Sequence, residues 1–308
     1  MQKQPGRRFL DPNILAKIAN MELISKFVVE GFISGLHKSP YHGFSVEFAQ
    51  YRPYMPGDEL RYIDWKVFAR TDRYYVKQFE EETNLNCYLL LDTSGSMGYK
   101  SDGLTKLEYG SFLTASLAYF MIRQRDAVGF VHFDESLNEF FPAKSSTAHL
   151  HDILVALEKI EPGEHGSIAE SLHSIADRLS KRGLIILISD LYDKYTERPI
   201  NEVVETVMDG LAHLRYDGHE VVVFNIFDHQ EVDFKFERLM RFVDMETNEE
   251  IVTRPEVIRD GYLKQINEFT GKMESECSMK AIDYNVFNTS TPLDFALLSY
   301  LARREGLM

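Results

Sequence analysis

The sequence predicts an α/β fold: a doubly wound, mostly parallel sheet with helices on both faces. Three observations predict it. Strand-like and helix-like segments alternate from residue 84 onward, two of the strand segments are apolar throughout, and both run into an aspartate within two residues. Continuous apolar strands suit a sheet covered on both faces, and strand–helix alternation is the mark of parallel pairing.

In order along the chain, Ile14, Leu15, Ile18, Met21, Ile24 and Phe27 recur at three- and four-residue spacing and predict a helix over 12–37, ended by His37-Lys38-Ser39-Pro40. Residues 46–51 and 74–79 lean towards β structure, with Pro56-Gly57 as a turn between them. Strands follow at 87–91, 127–133 and 184–188, with a short edge strand at 137–141. Helices are expected at 107–123, 148–160 and 168–180. Helix 200–215, strand 221–227, helix 256–269, strand 282–287 and helix 292–304 complete the alternation. Residues 238–245 and 250–253 flank Glu246-Thr247-Asn248-Glu249 as a hairpin inserted at about 237–253. The organisation expected is a 1–83 segment of helix and β pieces followed by an 84–308 α/β domain. The first segment and the hairpin would form a small β-containing region.

Composition narrows the function. The 308 residues carry a formal charge of −14, with 44% apolar and 27% charged residues. Such a surface repels phosphate backbones and anionic lipid, so neither nucleic acid nor membrane insertion is expected. Cys87 and Cys277 are the two cysteines, too few for a disulfide framework. The N-terminus has no hydrophobic signal-peptide core, and the longest apolar stretches are too short to span a bilayer. A cytoplasmic protein is the expectation.

The chemistry concentrates where the two apolar strands end. Asp92-Thr93-Ser94-Gly95-Ser96 follows one, and Ser189-Asp190 follows the other. Open α/β sheets bind ligands beyond the carboxyl ends of their strands, where strand order reverses. If the two strands are neighbours there, Asp92 and Asp190 face each other with serine hydroxyls between them. Close carboxylates call for a proton or a cation. Oxygen donors without His or Cys suit Mg²⁺, with Mn²⁺ or Ca²⁺ as alternatives. The other reading of the motif is helix capping by Ser94 or Ser96.

The chain also resembles a known family. Asp92–Met97 is similar to the first motif of the metal-ion-dependent adhesion site of von Willebrand factor A-like domains. Further motifs carry a closer resemblance, to the prokaryotic "domain of unknown function" family of such proteins found alongside MoxR-type AAA+ ATPases. They are Gly35-Leu36-His37-Lys38-Ser39-Pro40, Val46-Glu47-Phe48, Tyr51-Arg52-Pro53-Tyr54-Met55-Pro56-Gly57-Asp58 and Arg61-Tyr62-Ile63-Asp64-Trp65. Ala69-Arg70-Thr71, Val76-Lys77-Gln78-Phe79-Glu80-Glu81-Glu82 and Asn288-Thr289-Ser290-Thr291-Pro292-Leu293 complete the set. The resemblance implies a von Willebrand factor A-like fold and a divalent cation held by Asp92, Ser94, Ser96, Ser167 and Asp190. Ser167 stands where the family offers a Thr, and Ser189-Asp190-Leu191 stands for its commoner Thr-Asp-Gly.

The function so implied is a non-enzymatic, metal-dependent adaptor. It would serve a MoxR-type ATPase in maturing or remodelling client proteins, one of which would offer an acidic residue to the metal. Met97, Tyr99, Tyr192 and Asp193 would ring that site as a partner-binding surface. Asp58, Arg61, Asp64, Trp65 and Arg70 form a second polar-aromatic cluster, readable as a docking surface or as a hydrogen-bond network about a buried Trp65. A metal-dependent hydrolase or phosphatase using Asp92 is one rival, but no general base stands at recognisable spacing, and Ser94 occupies the position where a phosphatase needs a second Asp. A metal-free structural scaffold, its serines merely capping helices, is the other. His149 and His151 do not share a helix face, so at least one is expected to be exposed.

Overall fold

The computed structural model describes residues 20–36, 51–53, 68, 70, 73–77, 86–163, 167–179, 181–192, 198–243 and 249–293. The chain divides into two compact units, one of Met1–Ser34 with Leu85–Met308 and one of Gly35–Asn84. In the smaller, β1 (Tyr51–Pro53) and β2 (Tyr75–Lys77) pair antiparallel, Tyr51 opposite Lys77. Most of the expected strand 46–51 lies outside the described residues. So do the Pro56-Gly57 turn and all of the Trp65 cluster except Arg70, which is exposed.

In the larger unit, α1 (Met21–Leu36) buries Met21, Ile24, Val28 and Val29. Its first N–H donates to Glu158 Oε1 at 2.9 Å. Six strands form one sheet: β3 (Asn86–Asp92), β4 (Ala127–Phe133), β5 (Leu137–Lys144), β6 (Leu184–Ser189), β7 (Glu220–Phe227) and β10 (Asp283–Asn288). Their order is β10-β7-β6-β3-β4-β5, parallel except where β5 runs antiparallel beside β4. The chain therefore winds outward from β3 to one side and then returns to its other side with β6. The switch point anticipated for the two apolar strands lies between β3 and β6.

Both faces of the sheet are covered. On one, Tyr88, Leu90, Ile185, Leu187, Val221 and Val223 pack with α4 (Ile168–Ala176), α5 (Ile200–Tyr216) and the end of α7 (Pro255–Met279). On the other lies α2 (Lys106–Arg123), apolar nearly all round and largely buried. It approaches the sheet at Gly110, where an added Cβ would stand 3.1 Å from Leu91 and 3.2 Å from Ile188. α3 (Thr147–Leu157) lies alongside; its His149 is buried with Nε2 2.8 Å from the Val128 carbonyl, while His151 is exposed. Cys87 and Cys277 are buried free thiols.

The hairpin is present as β8 (Met240–Val243) paired antiparallel with β9 (Glu250–Thr253). Two elements differ from expectation. Helix α7 runs ten residues past the expected end at 269, through Gly271, which costs only about 1 kcal/mol inside a helix. The extra turns bring Met273 and Cys277 into the core. A five-residue α6 (His229–Asp233), closed by an Asp228/Glu231 capping box, was not expected at all. Of the expected helix 292–304, residues 294–304 lie outside the described residues. Among the described residues no helix is long and apolar enough to cross a membrane.

Candidate metal centre

The apolar run of β3 ends at Asp92 because the next residues serve polar roles. Thr93 continues the ladder, its N–H and Oγ1 both donating to the Phe133 carbonyl at 2.8 and 2.9 Å. Asp92 Oδ1 accepts the Ser94 N–H at 2.9 Å, which turns the chain sharply into a 3₁₀ turn over Gly95–Gly98. Across the switch point Ser189 Oγ donates to Asp92 Oδ2 at 2.5 Å and accepts the Leu191 N–H at 2.8 Å. Asp190 Oδ1 accepts the Tyr192 N–H at 3.1 Å.

Leu191, where the resembled motif has Gly, sits at φ +57°, the left-handed region that favours glycine. Its side chain is buried, so the strained backbone persists because the leucine fills the core beneath the loop.

The structure brings Asp92, Ser94, Ser96, Ser189 and Asp190 to one edge, all buried. The hydroxyls of Ser94 and Ser96 lie 3.2 Å apart. Ser94 precedes the 3₁₀ turn and Ser167 precedes α4, yet neither side chain caps its helix. The capping reading of the motif is therefore corrected for Ser94: its hydroxyl turns to Ser96 instead of the turn's N–H groups. Ser96 lies within the turn and not at its cap. Ser167 is buried at the start of α4, and no hydrogen bond joins its hydroxyl to the other four candidates among the described residues. The loop before it is tied to the edge where Gly163 N–H donates to the Thr93 carbonyl at 2.7 Å. Residues 164–166, with His165, lie outside the described residues.

Three more residues complete the edge, and sequence reasoning missed them. Lys106, the first residue of α2, is 1% exposed and places Nζ 2.8 Å from Asp190 Oδ2 and 2.9 Å from Glu231 Oε1. The Asp190 contact is a short buried ion pair, so Oδ2 is held by the ammonium. Asp228 accepts from Ser101 N–H at 3.0 Å and Ser101 Oγ at 2.5 Å, fastening the 93–105 loop to the end of β7. A signal existed: Asp228 follows the apolar strand 221–227 as Asp92 and Asp190 follow theirs.

Electrostatics follow from this crowding. Burial, and then the neighbouring Asp190 charge, raise the Asp92 carboxyl to about 6 against the hydrogen bonds from Ser189 and Ser94. Burial likewise raises Glu231, against the pull of Lys106. Burial alone would lower Lys106, but Asp190 and Glu231 outweigh it and hold the ammonium above its ordinary range. Tyr99 is pushed to about 12 by burial and by Asp228 and Glu231.

Of the expected rim, Tyr99 and Tyr192 are half-buried beside Lys106, with ring centres 5.7 and 5.0 Å from Nζ. Met97 is a correction: it is fully buried, a plug that anchors the loop from below, and offers no surface to a partner. Asp193 lies outside the described residues.

These residues fit a hard divalent cation. Two buried aspartates, the two serines that cap no helix, and Ser96 form an all-oxygen donor set with excess negative charge. Among the described residues no group of three or more His, Cys, Asp or Glu side chains could hold a metal. A cation at this edge would therefore depend on the hydroxyls as well as the carboxylates.

Residues 50–270 match the family described as "Protein of unknown function DUF58". The uncharacterized protein Rv1480 of Mycobacterium tuberculosis is 23% identical over 227 residues, covering 72% of this chain and 68% of that protein. Among solved structures, the conserved hypothetical protein BatB from Bacteroides thetaiotaomicron is similar over 71% of this chain and 98% of its own, at 18% identity and TM-score 0.42. The SpRpn10 VWA domain is similar over 70% and 94%, at 8% identity and TM-score 0.43. With the family match spanning well over half of its length, the chain belongs to the DUF58 family.

Proposed function

We infer that this chain is a non-enzymatic, metal-dependent protein-binding adaptor, acting with a MoxR-type AAA+ ATPase on client proteins. The observation that carries the reading is the pairing of buried Asp92 and Asp190 at the β3–β6 switch point, beside serine hydroxyls not used for capping. Ser94, Ser96 and Ser167 would hold Mg²⁺, with Mn²⁺ or Ca²⁺ as alternatives, and Asp92 and Asp190 would balance its charge. When bound, the ion supplies a Lewis-acid position that takes a carboxylate from a partner.

The chain's own residues prepare that contact. Ser189 fixes the Asp92 carboxylate, Tyr192 N–H fixes Asp190, and the buried Met97 holds the loop in register. Tyr99 and Tyr192 flank the edge as aromatic contact surface. Asp92 has both oxygens engaged and is 3% exposed, which speaks against its use as a nucleophile. The test is capture of a MoxR-type AAA+ ATPase from the same organism by the full chain in Mg²⁺ and in chelator, with Asp92→Ala alongside. Capture in Mg²⁺ alone, lost in Asp92→Ala, supports the reading; equal capture in every condition removes it.

A further inference from the structure

A buried lysine in the first turn of a helix is doubly disfavoured: its ammonium leaves water and meets the positive end of the helix. Lys106 occupies such a place at the start of α2, at 1% exposure. Its surroundings supply the compensation. Asp190 Oδ2 stands 2.8 Å from Nζ on one side and Glu231 Oε1 stands 2.9 Å away on the other. Tyr99 and Tyr192 lie beside it as aromatic walls. The two carboxylates differ in kind. Asp190 ends β6 at the candidate metal edge, whereas Glu231 belongs to α6, where its other oxygen accepts the Asp228 N–H at 2.6 Å.

We propose that Lys106 is a positioning residue that sets the divalent-cation affinity of the edge, competing for Asp190 as a built-in ammonium that Glu231 partly draws away. The proposal rests on the metal-binding reading above. A monovalent charge fixed at 2.8 Å from Asp190 opposes any second cation that shares that carboxylate. Removing the ammonium therefore strengthens divalent binding. Removing the Glu231 charge leaves Lys106 wholly to Asp190 and weakens it. A lysine needed only for packing would not give these opposite signs, since damage to the edge lowers affinity whichever residue is changed.

The experiment is a calorimetric titration of the full chain with Mn²⁺, for the native protein, Lys106→Met and Glu231→Gln, with folding checked by circular dichroism. Lys106→Met is expected to bind Mn²⁺ about tenfold tighter, and Glu231→Gln about fivefold weaker. Unchanged or weaker binding by folded Lys106→Met overturns the proposal. Should that variant not fold, Lys106→Gln takes its place, and unchanged or weaker binding by it overturns the proposal. The two failures are distinct. A native chain that takes up no Mn²⁺ removes the metal reading and this proposal together, whereas native uptake that both variants leave unchanged removes this proposal alone.

Discussion

Ser189 and Asp92 are joined by a 2.5 Å hydrogen bond that crosses from the end of β6 to the end of β3. The same hydroxyl accepts the Leu191 N–H, so one side chain sets the distance between the two strand ends and the path of the loop beyond. Ser189→Ala leaves a buried carboxylate oxygen without its donor. The expected loss is about 1–3 kcal/mol of stability in chelator, read by urea denaturation. A change below half a kilocalorie, on the order of measurement error, would show that the bond holds nothing in place.

Gly183 precedes β6, and an added Cβ there would overlap the Asn86 carbonyl oxygen at the start of β3. Gly183→Ala must push the two central strands apart at their entry. We expect a loss of about 1–3 kcal/mol, with a melting temperature lower by some degrees. A neutral result would mean that the strands separate there without cost.

Leu191 sits in left-handed backbone with a buried side chain. Leu191→Gly relieves about 1–2 kcal/mol of strain but gives up burial of about 1.5–3 kcal/mol and loosens the unfolded chain. The expectation is a net loss of roughly 1 kcal/mol in denaturation. A more stable variant would contradict the view that leucine is kept at this position for packing.

His219 is buried, and burial lowers its pKa despite a hydrogen bond with the Gly183 backbone and the nearby Asp217. A folded pKa below the unfolded one of about 6.5 means that the folded state resists protonation. Its stabilising contribution is complete above that pH and is lost as pH falls from there through the lowered folded value. Stability measured from pH 7.5 down to 5 should therefore decline less steeply in His219→Gln than in the native chain. Parallel curves would remove His219 as a cause.

The strands were the most legible part of the fold, since short apolar runs such as 184–188, rich in β-branched residues and bounded by polar ones, suit a sheet covered on both sides. The pairing of Asp92 with Ser189-Asp190 was legible for the same reason: each follows such a run, and strand ends meet at a switch point. Side-chain direction was not. Met97 looked like rim because it follows the serine motif, but a 3₁₀ turn points it inward. Lys106 went unremarked because it lies just outside the expected helix 107–123 and Glu231, which explains it, lies 125 positions away. The last turns of α7 were not legible, since the burial of Met273 and Cys277 that outweighs the cost of Gly271 comes from packing against distant elements.

The central claim is that Asp92 and its neighbours take up a divalent cation, and melting the full chain with and without Mg²⁺ tests it most directly. At a hundredfold excess over Kd, binding adds about 2.7 kcal/mol, a rise of about 5–10 °C for a unit of this size. The native chain should show that rise and Asp92→Ala should not. A native melting temperature indifferent to Mg²⁺, Mn²⁺ and chelator would contradict the account.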